Sequence, residues 1–234
     1  MKILIIFVND NLSGRNKNKE DFLESVNCIK KHISDVNKEN TIEIASLYSE
    51  ETEENDQNML IIENTLKQKI KYRYVCKLKQ FSKMMYFLNE LNERYDWYIK
   101  TRCDLQILEP LNTIKLNSFK KDCRNARVRS YIGPKLDKKI EYGCSIGGNR
   151  HMKRLKKTSL LYNENKKKIM LDDMIYFFHD NVRDKLFKFQ QLEDKREDEG
   201  FHSYYWKTVN KVELNIISLY VCFKKEIFSS KFSI

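Results

Sequence analysis

A guanidinium and a carboxylate stand two residues apart in Arg102-Cys103-Asp104, where an aromatic and β-branched stretch ends. The stretch before them, which begins at Tyr95, has the composition of a buried strand. A carboxylate at the end of such a strand is well placed to bind a ligand, because open α/β sheets hold their ligands beyond the carboxyl ends of the strands. The alternative is a surface ion pair that caps the strand. Spacing alone does not separate these two interpretations.

Helices and strands are predicted to alternate along the chain, and together they must position the segment Arg102-Cys103-Asp104. Apolar residues recur at helical spacing from 80 to 94 and predict a helix with one buried stripe (Phe81, Met84, Met85, Leu88 and Leu91). Residues 3–8 are continuously apolar, as in a strand that a parallel sheet buries on both faces. Similar patterns predict helices at 19–36 and 56–70 and strands at 41–47 and 72–76. This order predicts an α/β fold, Rossmann-like, with a mostly parallel central sheet flanked by helices.

The second half of the chain has a weaker pattern. We expect a strand at 126–132, glycine-assisted turns at 141–148, and a basic helix at 149–163. Met170 to His179 is expected to form a helix, with Asp172 and Asp173 in its first turn. Short segments elsewhere predict a helix at 111–116 and strands at 186–189 and 212–223. One domain over residues 1–234 is the default for this length.

Composition excludes several classes of protein. With six glycines and two prolines, the chain is neither collagen-like nor rich in linkers, and a glycine-rich phosphate loop is not expected. Dinucleotide, P-loop, zinc-protease and serine-hydrolase motifs are absent from the sequence. The six cysteines form no C-x-x-C pair, which disfavours a zinc or redox site. We expect a protein of the cytoplasm (of the host, if the source is viral), with reduced thiols, no signal peptide and no membrane span.

Charge points to an anionic partner without naming it. The formal net charge is +11, and basic residues concentrate at 115–139, with nine Lys/Arg against two acids, and at 150–168, with eight against one. A basic nucleic-acid-binding protein is therefore an alternative function. Such blocks are also common on solvated faces and loops, and no nucleic-acid-binding motif accompanies them.

The stretch from Tyr95 to Asp104, YDWYIKTRCD, resembles a motif of small glycosyltransferases with a GT-A-like fold, which occur in large DNA viruses and bacterial polysaccharide clusters. In this chain R-x-D replaces their usual D-x-D metal motif. Flanking stretches that resemble the family in the same order are KLKQFSKM at 77–84, NARVRSYIGP at 125–134, YGCSIG at 142–147 and LDD at 171–173. The resemblance implies a nucleotide-binding half at 1–105 and an acceptor-side half at 106–234.

The resemblance also implies an activity: transfer of a hexosyl or deoxyhexosyl group from a nucleotide sugar such as a UDP-sugar to a hydroxyl of a glycan, glycoprotein or other acceptor. A divalent cation, Mn²⁺ or Mg²⁺, would assist the diphosphate leaving group, with Asp104 and His202 as its ligands. Asp173, or its neighbour Asp172, would be the base that deprotonates the acceptor; capping of a helix is their alternative role. Donor contacts would come from Phe7, Val8, Asn9, Gln80, Lys83, Arg102, Asn125, Arg127 and Arg129.

The replacement of one carboxylate by arginine leaves two points open. Arg102 can contact phosphate in place of a metal, or it can orient Asp104. An inactive, glycosyltransferase-like binding module is a further alternative to the enzyme.

Overall fold

The computed structural model describes residues 1–14, 16, 18–132, 139–140, 162–164, 167–186, 211–217, 219 and 221–222. Its strands are β1 (Lys2–Val8), β2 (Thr41–Tyr48), β3 (Tyr72–Val75), β4 (Trp97–Thr101), β5 (Gln106–Ile107), β6 (Cys123–Ile132), β7 (Lys139–Ile140), β8 (Tyr162–Glu164), β9 (Lys167–His179), β10 (Glu213–Ile216) and β11 (Val221–Cys222). Its α-helices are α1 (Lys19–Ile29), α2 (Glu53–Leu66), α3 (Gln80–Glu90), α4 (Thr113–Asn117) and α5 (Asp180–Leu186).

Strand β1 lies at the centre of the main sheet, because all residues from Ile3 to Val8 are buried and need apolar neighbours on both faces. It pairs in parallel with β2 on one side and β4 on the other. The described part of the sheet has the order β10-β6-β9-β4-β1-β2-β3, with β7 beside β6 and β8 beside β9. Strand β9 is antiparallel to both of its neighbours, β4 and β6. Strands β5 and β11 form a separate antiparallel pair.

Helices cover both faces of the sheet. Ile3, Ile5 and Phe7 face a core that includes residues of α1 and α2. Leu4, Ile6 and Val8 face the other core, which contains the α3 stripe and residues of α5. The predicted stripe of α3 is confirmed, since all five of its apolar side chains are buried. The helix itself is shorter than expected and ends at Glu90.

Other predicted boundaries need small corrections. Helix α2 begins at Glu53 because Thr52 caps it, accepting a hydrogen bond from the backbone N–H of Asn55 at 3.1 Å. It ends at Leu66 because Lys67 is left-handed, with φ of 54°. The predicted helix at 19–36 is α-helical to Ile29 and continues as a π-helical and then a 3-10 segment to Asn37. The expected strand at 212–223 is interrupted, forming β10 and β11.

The helix predicted from Met170 to His179 is wrong. These residues form the second part of β9, and a helix, α5, begins only at Asp180. Residues 174–178 are all buried, so this segment is apolar on both sides, as a central strand is, and its bulky aromatic residues favour the strand. The expected strand at 186–189 is corrected at Leu186, which ends α5. The turns at 141–148 and the basic helix at 149–163 fall outside the described residues, except that 162–163 belong to β8.

Within the described ranges, none of the helices is long and apolar enough to cross a membrane.

Candidate functional site

The carboxyl ends of three parallel strands meet at one edge of the sheet, called here the donor edge. It is formed by Asn9 and Asp10 after β1, Ser49 after β2, and Arg102 and Asp104 after β4. Backbone hydrogen bonds tie the first two ends together, from Asn9 N–H to the Leu47 carbonyl at 3.1 Å and from Ser49 N–H to the Asp10 carbonyl at 3.0 Å.

Lys83 fixes the same two strand ends from the first turn of α3. Its side chain is fully buried, and its ammonium donates to the Asn9 carbonyl at 3.0 Å and to Ser49 Oγ at 2.9 Å. The Asp10 carboxylate lies 3.6 Å from the same nitrogen. Burial of a lysine is costly unless its charge is paired and hydrogen-bonded, so these contacts account for its position.

Lys100 is a second buried cation, in the middle of the aromatic strand β4. Its ammonium lies 3.5 Å from Gln80 Oε1 and 3.4 Å from the Met174 carbonyl of β9. It is also 5.7 Å from the centre of the Tyr176 ring, within the range of a cation–π contact. Lys100 therefore connects α3, β4 and β9 just inside the donor edge.

Arg102 and Asp104 form a bidentate ion pair. Arg102 donates from Nε to Asp104 Oδ1 and from Nη2 to Oδ2, both at 2.7 Å. The Asp104 side chain has no exposed surface, whereas 14% of the Arg102 side chain is exposed. Cys103 between them points into the core, where burial raises the pKa of its thiol. The two residues thus form an ordered pair at the strand end.

The turn after β1 packs against this pair. Gly14 has φ of +59°, and a Cβ placed on it would lie 2.4 Å from Asp104 Oδ2 and 2.8 Å from Asn9 Nδ2. Asn9 is buried, and its Nδ2 donates to the Leu12 carbonyl at 3.4 Å. Its Oδ1 has no hydrogen-bond partner in the described part of the chain. A buried amide oxygen of this kind can accept a hydrogen bond from a ligand or a water.

The described residues do not fit a divalent cation at Asp104. Mn²⁺ and Mg²⁺ need several oxygen ligands, yet both Asp104 oxygens accept from Arg102 and Gly14 leaves no room for a methyl group beside Oδ2. No group of three or more His, Cys, Asp or Glu suited to a metal occurs in the part of the chain that was described. His202, the second predicted ligand, lies outside the described residues.

The backbone of the two predicted base residues also reaches the donor edge. Strand β9 runs antiparallel to β4, with Tyr176 opposite Lys100, so residues before 176 extend past the carboxyl end of β4. The backbone of Asp172 and Asp173 is therefore at the donor edge. Here the register with β6 shifts, from Ala126 opposite Tyr176 to Val128 opposite Leu171, which makes a bulge in β9. Bulges are common beside active sites.

Strand β6 is parallel to β4 and continues beyond it. Since Ala126 pairs with Tyr176, the backbone at Arg127 and Arg129 also extends past the donor edge, while their side chains lie outside the described part of the chain. Asn125 has described side-chain contacts. Its Oδ1 accepts from Lys120 N–H at 3.0 Å and from Asn215 Nδ2 at 2.7 Å, and its Nδ2 donates to the Lys120 carbonyl at 2.8 Å. These contacts make Asn125 a structural link between β6 and β10.

Phe7 and Val8, predicted as donor contacts, lie at the end of β1. Their side chains are fully buried in the two cores, on opposite faces of β1. A side-chain contact from either residue to a donor would require the core to open. Their position at the end of β1 leaves the neighbouring Asn9 as the polar group that this strand contributes.

Three residues of the site region were not predicted from the sequence. Lys100 is a lysine inside an otherwise apolar strand, and that contrast was the available signal. Gly14 is a single glycine in a polar loop and gave none. Arg124, 2% exposed, places its guanidinium 4.5 Å from the centre of the Tyr176 ring. Its contact depends on the pairing of β6 with β9, which no local pattern specifies.

Comparison with known proteins supports the fold. No protein-family model and no curated protein matches the sequence. A protein described as a glucose-1-phosphate thymidylyltransferase, from Bacillus anthracis and in complex with sucrose, has a TM-score of 0.52 and 12% identity over 98% of this chain and 93% of that one. The 4-diphosphocytidyl-2C-methyl-D-erythritol synthase of Anaerococcus prevotii has a TM-score of 0.50 and 13% identity over 92% of this chain and 87% of that one.

A weaker similarity is to the glycosyltransferase GlyE of Streptococcus pneumoniae, with a TM-score of 0.44, 11% identity, and coverage of 92% of this chain and 45% of that one. This last similarity supports no conclusion. The two stronger ones, with the observed order of strands and helices, confirm the predicted Rossmann-like, GT-A-like α/β fold.

Proposed function

We propose that this chain is a glycosyltransferase that moves a hexosyl or deoxyhexosyl group from a nucleotide-diphosphate donor to a hydroxyl of a glycan or glycoprotein. One observation carries the proposal. Five residues named as donor or metal contacts, separated by up to 95 positions in sequence, converge at the carboxyl ends of parallel strands: Asn9, Gln80, Lys83, Arg102 and Asp104. This edge is where open α/β sheets bind ligands.

In the proposed reaction, the donor diphosphate lies at the donor edge with its negative charge toward Arg102. Departure of the diphosphate leaves additional charge on its oxygen, and fixed positive groups stabilise that charge without reorganisation. Asn9 presents a buried amide oxygen to an N–H group of the nucleotide. Asp173, in the bulge of β9, removes the proton of the acceptor hydroxyl.

The test is an assay with a panel of nucleotide sugars. The full chain is incubated with each donor, and release of the nucleoside diphosphate is measured with and without a mixture of glycan acceptors. We expect one donor class to be hydrolysed slowly and to be consumed faster when an acceptor is present. If no donor is turned over and no nucleoside diphosphate raises the melting temperature, the proposal is wrong.

Nucleotidyl transfer is the second candidate, favoured by the two similarities with TM-scores of 0.50 or more, both to proteins named for thymidylyl or diphosphocytidyl chemistry. In that reaction a phosphate oxygen of a phosphorylated compound attacks the α-phosphorus of a nucleoside triphosphate, the α–β phosphoanhydride bond breaks, and pyrophosphate leaves. Measuring pyrophosphate from nucleoside triphosphates with sugar 1-phosphates separates the two candidates, because glycosyl transfer releases a nucleoside diphosphate instead.

A further inference from the structure

Asp104 is enclosed by the protein itself. Both of its oxygens accept hydrogen bonds from Arg102 at 2.7 Å, and the Gly14 backbone packs so close that a Cβ there would lie 2.4 Å from Oδ2. The side chain has no exposed surface. A cation such as Mg²⁺ requires octahedral geometry and usually keeps several waters when it binds through one carboxylate. The enclosed carboxylate of Asp104 does not provide these conditions.

Arg102 is the member of the pair that reaches the surface of the donor edge. Its guanidinium pairs with Asp104 through Nε and Nη2. It is planar, always charged and suited to phosphate oxygens. Asp104 holds this plane in one orientation, since a bidentate pair fixes direction as well as distance.

Among the donor-edge residues whose side chains the structure describes, the charges agree with a positive site. Lys83, Lys100 and Arg102 contribute three positive charges, and Asp10 and Asp104 contribute two negative ones. This set of five residues is therefore positive by one charge without a metal ion. Two of the cations, Lys83 and Lys100, are at most 1% exposed, where water screens their charge little.

We infer that Arg102 supplies the positive charge that the resemblance assigned to a metal ion, and that Asp104 is a positioning residue for Arg102. This inference rests on the proposed glycosyl transfer. In that reaction the bond from the anomeric carbon to the diphosphate oxygen breaks, and its electron pair stays on that oxygen. The acceptor oxygen forms the new bond to the carbon, and its proton goes to the general base. Arg102 stabilises the charge left on the diphosphate.

The test is calorimetric titration of the full chain with uridine, cytidine, guanosine and thymidine diphosphates, in EDTA and again in Mn²⁺. For the diphosphate that binds, we expect affinities in EDTA and Mn²⁺ that agree within about threefold. Arg102→Lys should weaken binding by about tenfold or more, because lysine lacks the planar fork. Asp104→Asn should weaken it too, without recovery in Mn²⁺.

A double-mutant cycle separates positioning from a merely structural role. If Asp104 acts through Arg102, then Asp104→Asn should change affinity little further in an Arg102→Ala background, whereas independent effects would add. Arg94→Lys is the matched control. Arg94 is also an ion-paired arginine, with Asp180 at 2.9 Å and Asp184 at 2.6 Å, but it lies near the amino end of β4, and we expect unchanged affinity.

Wild-type binding that EDTA abolishes and Mn²⁺ restores would overturn the inference and leave the proposed function intact. So would an Arg102→Lys variant that binds as tightly as the wild type. Absence of binding to every diphosphate in both buffers would instead overturn the proposed function, and the inference with it. Because the comparison of buffers needs no variant, the outcome does not depend on whether the substituted chains fold.

Discussion

Gly14 shows how much the donor edge depends on one residue without a side chain. Its left-handed backbone and its contact with Asp104 exclude any other residue without rearrangement. The Arg102–Asp104 pair is oriented partly by this packing, so the turn after β1 and the end of β4 are coupled. The same turn contains Asn9, whose amide oxygen is buried without a partner in the described chain.

Gly14→Ala should therefore reduce both stability and ligand binding. Alanine would have an unfavourable φ at this position, and its Cβ would clash with Asp104 Oδ2. We expect a cost of about 1–3 kcal/mol in the free energy of unfolding. Urea unfolding and titration with a nucleoside diphosphate measure the two effects. Ser13→Ala, one residue away, is the control and should change neither by more than about 0.5 kcal/mol. Unchanged binding in Gly14→Ala would show that the Asp104 orientation does not matter for the ligand.

Lys83→Met tests the buried lysine of α3. Methionine fills a similar volume but leaves the Asn9 carbonyl and Ser49 Oγ without their donor. We expect a loss of about 1–3 kcal/mol in the free energy of unfolding, the usual cost of an unsatisfied buried acceptor, together with weaker diphosphate binding. Lys79→Met, at the exposed N-cap of the same helix, is the control. Equal stability of the two variants would contradict the proposed tie between the strand ends.

A polar cluster lies at the amino ends of the strands, opposite the donor edge. Glu93, after α3, accepts from Lys2 of β1, from Lys71 before β3 and from Tyr72. Tyr95 donates to Glu43 of β2 and lies 2.9 Å from the Tyr72 hydroxyl. This cluster connects β1, β2, β3 and the start of β4, so the two ends of the sheet are held by different sets of charged groups.

The cluster predicts an acid-sensitive contribution to stability. Hydrogen bonds from Lys2, and then from Lys71 and Tyr72, hold the pKa of Glu93 well below its ordinary value of 4.5. A carboxyl whose pKa is lowered on folding stabilises the protein above its unfolded pKa, and this is lost as the pH falls from about 4.5 toward the folded value. Glu93→Gln should therefore lower the urea midpoint at pH 7 and converge with the wild type in acid. Glu51→Gln, at an exposed position, should give a difference that stays small throughout.

The bulge of β9 contains Asp173, the proposed general base. Asp173→Asn should lower the turnover of acceptor-dependent transfer by about 10²–10⁴-fold, the usual contribution of a general base, while diphosphate binding is retained. Asp172→Asn is the matched comparison, because it removes one carboxylate from the neighbouring position of the same strand. Equal losses in the two variants, or a larger loss in Asp172→Asn, would remove Asp173 from the role.

Elements defined by a local period were predictable, and elements defined by partners were not. The spacing of apolar residues in α3 and the continuous apolar run of β1 predict, without knowledge of other elements, which side chains are buried. In β9, Asp172 and Asp173 suggest the start of a helix, yet burial between β4 and β6 makes the segment a strand. The donor edge was predictable from strand ends, but the packing of Gly14 on Asp104 joins residues 90 positions apart and depends on the assembled sheet.

The net charge of +11 is unevenly distributed along the chain. Two basic residues just before β3, the last strand in the described order of the sheet, are paired with carboxylates: Lys69 with Glu63 at 2.8 Å, and Lys71 with Glu43 at 2.8 Å. Much of the basic excess belongs to 115–139 and 150–168, which fall largely beyond the described side chains. The pairs beside β3 therefore balance the charge there, and the nucleic-acid alternative depends on the two basic blocks.

This distribution predicts how binding responds to salt. A nucleic-acid-binding protein that neutralises Z phosphates loses affinity with a log–log slope of about −0.7Z on single strands, whereas a diphosphate at a built site contacts few groups and depends on salt less steeply. We expect weak binding of a single-stranded oligonucleotide that disappears by about 0.15 M salt, while a nucleoside diphosphate still binds there and is not displaced by the oligonucleotide. Fluorescence anisotropy across a salt series measures both. Tight oligonucleotide binding at that salt, with displacement of the diphosphate, would instead make nucleic acid the ligand of the donor edge, because two anions that exclude one another share one cationic site.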